Sequence, residues 1–212
     1  MPTVRFEPRV QYRNELLLPL GLYPPIHVPP GVSVRAPFFV SAQEMFRLAP
    51  SQTITVVGGL TKADFTLRFA DPAQWRQVRS GGAALRWQFQ GGVVHLDVTL
   101  ALYVAEGFQR DARVFATIME HELLHVYDEI DLVTRYMPAQ ALNDQYTQRY
   151  LVQGREVDDS MFQRWFRGAG FEQWIRDGVW VPEHNRRAQV RDSGPEWVRY
   201  REKIDAFMRG NP

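Results

Sequence analysis

The sequence predicts an α+β chain in which a mostly antiparallel sheet precedes a long helix and a helical second half. Three observations carry this reading. Short runs of β-branched and aromatic residues, punctuated by glycine and proline, fill the stretch before residue 110. From Asp111 the apolar residues switch to spacings of three and four. The composition, 45% hydrophobic and 23% charged over 212 residues, is that of an ordinary globular protein with chain enough for a substantial core.

The elements follow in order. Residues 1–38 contain Pro19, Pro24, Pro25, Pro29, Pro30 and Pro37, and predict extended arms and turns. Ser41 predicts the N-cap of a short helix reaching Leu48, with Glu44 at the capping-box position. Thr53 to Val57 and Phe65 to Phe69 predict strands separated at Gly58-Gly59. Leu85 to Phe89, then Gly91-Gly92, then Val93 to Leu102 predict a β-hairpin. Asp111 to about Met137 predicts the dominant helix, because Phe115, Met119, Leu123, Val126, Ile130, Val133 and Met137 fall in one stripe at roughly 100° per residue. Pro138 is expected to end it. One or two helices are expected from Ala139 to about Arg167, kinked at Gly154, with shorter ones at Glu172 to Asp177 and Glu196 to Met208. The whole chain, 1–212, reads as a single domain with an extended arm (1–38), a mainly β part (39–110) and a mainly α part (111–212).

Composition also excludes several classes of function. The 25 basic and 24 acidic residues leave a net charge of +1, so no global field draws the chain to nucleic acid or to a membrane. Arg186, Arg187, Arg191, Arg199, Arg201 and Lys203 are offset by Asp192, Glu196 and Glu202, and read as a solvated helix and loop. No apolar run approaches about 18 residues, which predicts no membrane span. Met1 to Leu20 is interrupted by Arg5, Glu7, Arg9, Arg13 and Glu15, unlike a signal peptide, so cytoplasmic residence is expected. Cysteine is absent, which excludes disulfides, thiolate ligands and cysteine nucleophiles. Any transition metal must be held by His, Asp or Glu.

One motif carries chemistry. His121 and His125 lie four apart on the predicted helix, so their imidazoles project side by side. Two neutral imidazoles so placed can share a Zn²⁺ ion at about 2.0–2.1 Å. Glu122 follows the first histidine, where a carboxylate can take a proton from water activated by the metal. The histidines face away from the Phe115–Met137 stripe, so one side of the helix can pack on a core while the other lines a cleft. The pattern predicts zinc-dependent hydrolysis of peptide bonds in a protein or a peptidoglycan cross-link. The alternative is a non-catalytic binding or scaffold protein.

The string His121-Glu122-Leu123-Leu124-His125-Val126-Tyr127-Asp128 resembles the HExxHxxD helix of small gluzincins within the zincin superfamily of metallopeptidases, such as the mitochondrial ATP-synthase-assembly metallopeptidases. About 30 residues carry the likeness. It implies a zincin-type fold, a zinc cofactor held by His121 and His125, and Glu122 as general base. It also implies a third ligand from a glutamate on the following helix. If the chain reverses near Pro138, equal rises of about 1.5 Å per residue bring residues 151–156 level with the histidines, and Glu156 is the glutamate there. Asp159, one turn on, is a candidate partner of that ligand. Asp131 sits where a metzincin places its last ligand, although an unbroken helix points it away. Asp128 shares the histidine face and reads as a group that orients a histidine or an arginine, with direct ligation as an alternative although three side chains of one straight helix converge poorly on one ion. Glu183 and His184 remain further candidates. His184, if not a ligand, is the expected donor to the oxyanion, with Tyr146 and Tyr150 as alternatives. His27, His95 and the aromatic group Phe162, Trp165, Phe166, Phe171 and Trp174 read as structural.

Overall fold

The computed structural model describes residues 1–14, 35–49, 58–71, 74–79 and 85–210. The strands β1 (Val4–Tyr12) and β2 (Phe38–Val40) precede helix α1 (Ala42–Leu48). Then come β3 (Gly59–Phe69), β4 (Trp75–Arg79), β5 (Leu85–Phe89) and β6 (Gly92–Ala105). The helical half holds α2 (Ala112–Asp131), α3 (Met137–Asn143), α4 (Gln145–Tyr150), a short strand β7 (Glu156–Asp158), α5 (Asp159–Met161), α6 (Gly170–Ile175), α7 (Val181–Arg191) and α8 (Pro195–Met208). Among the described residues no helix is long and apolar enough to cross a membrane.

The chain clusters into two compact units. The first is Met1–Val10, Phe65–Val98 and Ile130–Asn185; the second is Gln11–Asp64, Thr99–Glu129 and Arg186–Pro212. In the first unit β4, β5 and β7 form an antiparallel sheet, with Trp75 opposite Phe89 and Gln88 opposite Glu156. Its packing is aromatic. Trp87 stacks on Phe162 with centroids 4.0 Å apart, and Trp75 lies 4.6 Å from Phe166. Phe162, Phe166 and Phe171 are buried, as the sequence predicts, but Trp174 is exposed.

In the second unit the latter part of β6 runs parallel to β2, with Phe38 opposite Tyr103 and Val40 opposite Ala105. Leu100, Leu102 and Val104 are buried. The buried side chain of Asn14 acts as a substitute strand partner: its Nδ2 donates to Leu102 O at 3.3 Å, and its Oδ1 accepts from Leu102 N at 2.9 Å. Ser41 caps α1 by accepting from Glu44 N at 3.2 Å, as its position predicts. Asp111 caps α2 by accepting from Arg113 N and Val114 N.

Four expectations change. β5 and β6 are not a hairpin: β5 pairs with β4 and β7, while β6 pairs with β1, β2 and β3. Gly91 and Gly92 have φ of 90° and 157°, so the chain turns out of one sheet before entering the other. The parallel β2–β6 pair departs from an antiparallel plan. Pro138 does not end the helical run. A π turn, Leu132–Tyr136, in which Met137 N donates to Leu132 O, precedes it, and the proline sits in the first turn of α3. The wide turn relieves the clash between the ring and a preceding carbonyl. The one or two helices expected from Ala139 to about Arg167 are divided at Asp144, which caps α4, and interrupted by β7, before which Gly154 takes φ of 80°. The expected strand Thr53 to Val57 and most of the proline-rich arm lie outside the described residues.

Candidate metal centre

α2 brings His121, Glu122 and His125 to one place because its register is fixed by packing. Phe115, Met119, Leu123 and Val126 are fully or nearly fully buried. Burying such side chains is worth about 1.5–3 kcal/mol each, which leaves the helix little freedom to rotate. The imidazoles therefore leave the opposite flank. A third group meets them there: Asp192, directly after the last residue of α7, whose N–H still closes that helix onto Ala188 O at 2.9 Å.

The three donor atoms form an equilateral triangle. His121 Nε2 and His125 Nε2 are 3.2 Å apart, and Asp192 Oδ1 is 3.2 Å from each. Four-coordinate zinc with bonds of about 2.0–2.1 Å holds its ligand atoms about 3.3–3.4 Å apart. Asp192 Oδ1 is also buried without an aligned hydrogen-bond donor. An orphaned carboxylate oxygen facing two imidazole nitrogens suits a cation in their midst. The donor set therefore fits zinc in atom type and in spacing.

Electrostatics follow from this crowding. Burial raises the Asp192 carboxyl, but the close approach and charge of His121 and His125 outweigh it and hold the group well below the usual carboxylate range. Burial lowers His125, but the Asp192 contact, with Glu122 and Asp128, raises it on balance. The signs give a prediction for the metal-free chain. The Asp192 contribution to stability is present above the ordinary carboxylate range and is lost as pH falls through its depressed pKa. The His125 contribution is present below the ordinary histidine range and is lost as pH rises through its raised pKa. Melting of the chelated chain should therefore peak at mildly acidic pH, whereas added zinc, which needs neutral imidazoles, should move the peak upward. Coincident pH–melting curves with zinc and with chelator would contradict this.

Glu122 is positioned by Thr61 and Gly59 of β3. Thr61 on β3 places its hydroxyl 2.8 Å from Glu122 Oε2 and 3.0 Å from Glu122 O, and its one proton serves one acceptor at a time. Burial pushes the Glu122 carboxyl up, against the lowering by His125, His121 and Thr61. Gly59 provides the space. A Cβ there would fall 2.7 Å from Glu122 Cγ and 2.7 Å from Ile118 Cγ2. Gly59→Ala should displace the carboxylate and, on the function proposed below, slow turnover by more than about tenfold with zinc content kept, since a misplacement of about 1 Å can lower rates about 100-fold. Unchanged turnover by a folded Gly59→Ala chain would contradict it. On the other flank, the Tyr200 ring of α8 stacks on His121 with centroids 4.5 Å apart, and Trp197 lies 5.1 Å away. Burial raises the Tyr200 phenol, with the Glu122 charge adding to it.

Compared with known proteins, the chain has no significant match to a family model, a curated protein or a solved structure. The centre is thus characterised by its own geometry.

Of the residues singled out in the sequence, His121, Glu122 and His125 come together. Glu156 belongs to the first unit, where it lies on β7 rather than on a helix and faces Arg86 at 3.6 Å. His184, in the same unit, stacks on Trp180 at 4.9 Å. Asp159 accepts from Trp87 Nε1 at 2.7 Å, and Asp131 pairs with Arg135 at 3.0 Å. Glu183 lies in the first turn of α7. Tyr146 stacks on Trp165 at 4.4 Å, and Tyr150 lies 6.0 Å from Tyr146. His95 is buried and accepts from Arg9 at 2.8 Å; His27 lies outside the described residues. Asp192, Thr61, Gly59 and Tyr200 were not legible as site residues. The faint signal for Asp192 was a carboxylate at a helix end marked by Gly194-Pro195.

Proposed function

We propose that the chain is a zinc-dependent peptidase whose metal is held by His121, His125 and Asp192. The observation that carries the proposal is the 3.2 Å triangle of two imidazole nitrogens and one carboxylate oxygen, beside a buried glutamate on the same helix. Three protein ligands leave a fourth position open, as catalytic zinc sites do. A bound zinc ion supplies Lewis acidity toward a carbonyl and lowers the pKa of water to about 7.

The residues divide the remaining work. Glu122 accepts the proton of the water that attacks the scissile carbonyl and returns it to the leaving amine nitrogen. Thr61 fixes the carboxylate, and Gly59 lets it approach. Tyr200 and Trp197 pack against the His121 ring and limit its rotation. The proposal uses the second unit alone, so Glu156 and His184 have no role in it. It keeps the zincin-type likeness of the α2 motif as a likeness in chemistry.

The near-complete burial of Glu122 favours a second reading, a metal centre that organises a binding protein without turnover. One experiment separates the two. The full chain is loaded with zinc, freed of excess metal, and incubated with a peptide library with and without a chelator. About one zinc per chain and chelator-sensitive cleavage support the peptidase. Zinc at that level without cleavage supports the binding protein, and no bound zinc rejects both.

A further inference from the structure

We infer that Asp128 and Arg191 form a positioning pair that delivers Asp192 to the two histidines and so sets the affinity for metal. This rests on the metal centre proposed above. The histidines need no outside help to be neighbours, because one helix carries both. Asp192 comes from a different helix, and a covalent path so remote cannot place its oxygen to a few tenths of an ångström. Something must fix the end of α7 against α2.

The contacts at that junction do so. Arg191 Nε donates to Asp128 Oδ2 at 2.7 Å and its terminal nitrogen donates to Asp128 Oδ1 at 3.0 Å, a two-pronged bond of defined direction. Arg187, one turn earlier on α7, donates to Asp128 O at 3.0 Å. Two points on one helix, gripping the side chain and the backbone of a single residue, fix rotation as well as distance. The gripped residue lies one turn beyond His125, and the gripping residue is the immediate neighbour of Asp192. The side chains are 18% exposed at Asp128 and 35% at Arg191, so the pair is partly shielded from the screening that weakens surface ion pairs. Only part of the basic group at 186–203 is thus a solvated face: Arg187 and Arg191 are committed to Asp128.

Groups behind metal ligands change affinity about 10–100-fold when mutated. The test is zinc affinity of the full chain, measured by competition with a chelator, for wild type, Asp128→Asn, Arg191→Lys and the exchanged pair Asp128→Arg with Arg191→Asp. Asp64→Asn, which breaks the Arg13–Asp64 pair in the same unit, controls for loss of a salt bridge as such. Cobalt absorption of each chain reports whether the carboxylate still coordinates, which a merely stabilising contact would not alter. The expected result is affinity lowered about 10–100-fold in both single variants, a changed cobalt spectrum, partial recovery in the exchanged pair, and no change in Asp64→Asn. Arg191→Lys keeps the charge and the fold, so it decides the matter if Asp128→Asn does not fold. Wild-type affinity and spectrum in Arg191→Lys would overturn the inference while leaving the centre intact. Absence of zinc binding by wild type would overturn the centre itself, and this inference with it.

Discussion

Asp192→Ala is expected to weaken zinc binding by about 100-fold or more, while Glu156→Gln leaves it unchanged. Apparent binding free energies of about 10–16 kcal/mol for four-ligand zinc sites assign about 3 kcal/mol to each ligand. Each 1.4 kcal/mol is a tenfold change in affinity. The substitution removes one corner of the 3.2 Å triangle and leaves two imidazoles that still hold metal weakly. Chelator competition measures both variants. Wild-type affinity in Asp192→Ala would remove Asp192 from the ligand set, and a loss in Glu156→Gln would make Glu156 the better choice. The metal-free Asp192→Ala chain should also lose its raised His125 pKa, which NMR titration of the imidazoles can read directly.

Glu122→Gln is expected to keep zinc and lose about 10²–10⁴-fold in peptide cleavage, the usual contribution of a positioned acid–base group. Glutamine has the shape of glutamate, so it fills the same space between Ile118 and Gly59 and can still accept from Thr61. It cannot take a proton from water. Because burial disfavours the ionised carboxylate, the neutral amide should leave the metal-free fold as stable or more stable, and chemical denaturation checks this. Retained cleavage in a zinc-loaded Glu122→Gln chain would rule out Glu122 as the base. A loss of zinc instead would mean that its carboxylate supports the ligands rather than the reaction.

What the sequence made legible was local. The α2 stripe, the two histidines and their glutamate lie within a few helical turns, where a 3.6-residue period decides which side chains share a face. Ser41 was readable for the same reason, since a cap depends on residues three positions away. The helical setting expected for Glu156 failed because it needed a reversal at Pro138 and a straight returning helix. The π turn carries the helix past Pro138, Asp144 interrupts it, and the Glu156 segment pairs with β5 instead. The β5–β6 hairpin failed likewise: two runs with glycines between them state that a turn occurs, not which sheet receives the second strand. Asp192 was hidden because its partners are set by how α7 ends against α2, which no spacing encodes. Gly59 read as punctuation between strands, whereas its demand is the closeness of Glu122 and Ile118.

The placement of Asp192 on a later helix than the histidines has a consequence for the chain as it is made. Synthesis at about 5–20 residues per second puts several seconds between the emergence of His125 and that of Asp192. During that interval two imidazoles are present without their carboxylate, and Arg187 and Arg191 are not yet there to grip Asp128. On the proposed reading the nascent protein is a poor chelator and an idle catalyst until the end of α7 has docked. Metal capture is then a late event, and any chain stopped before that point stays harmless to its neighbours.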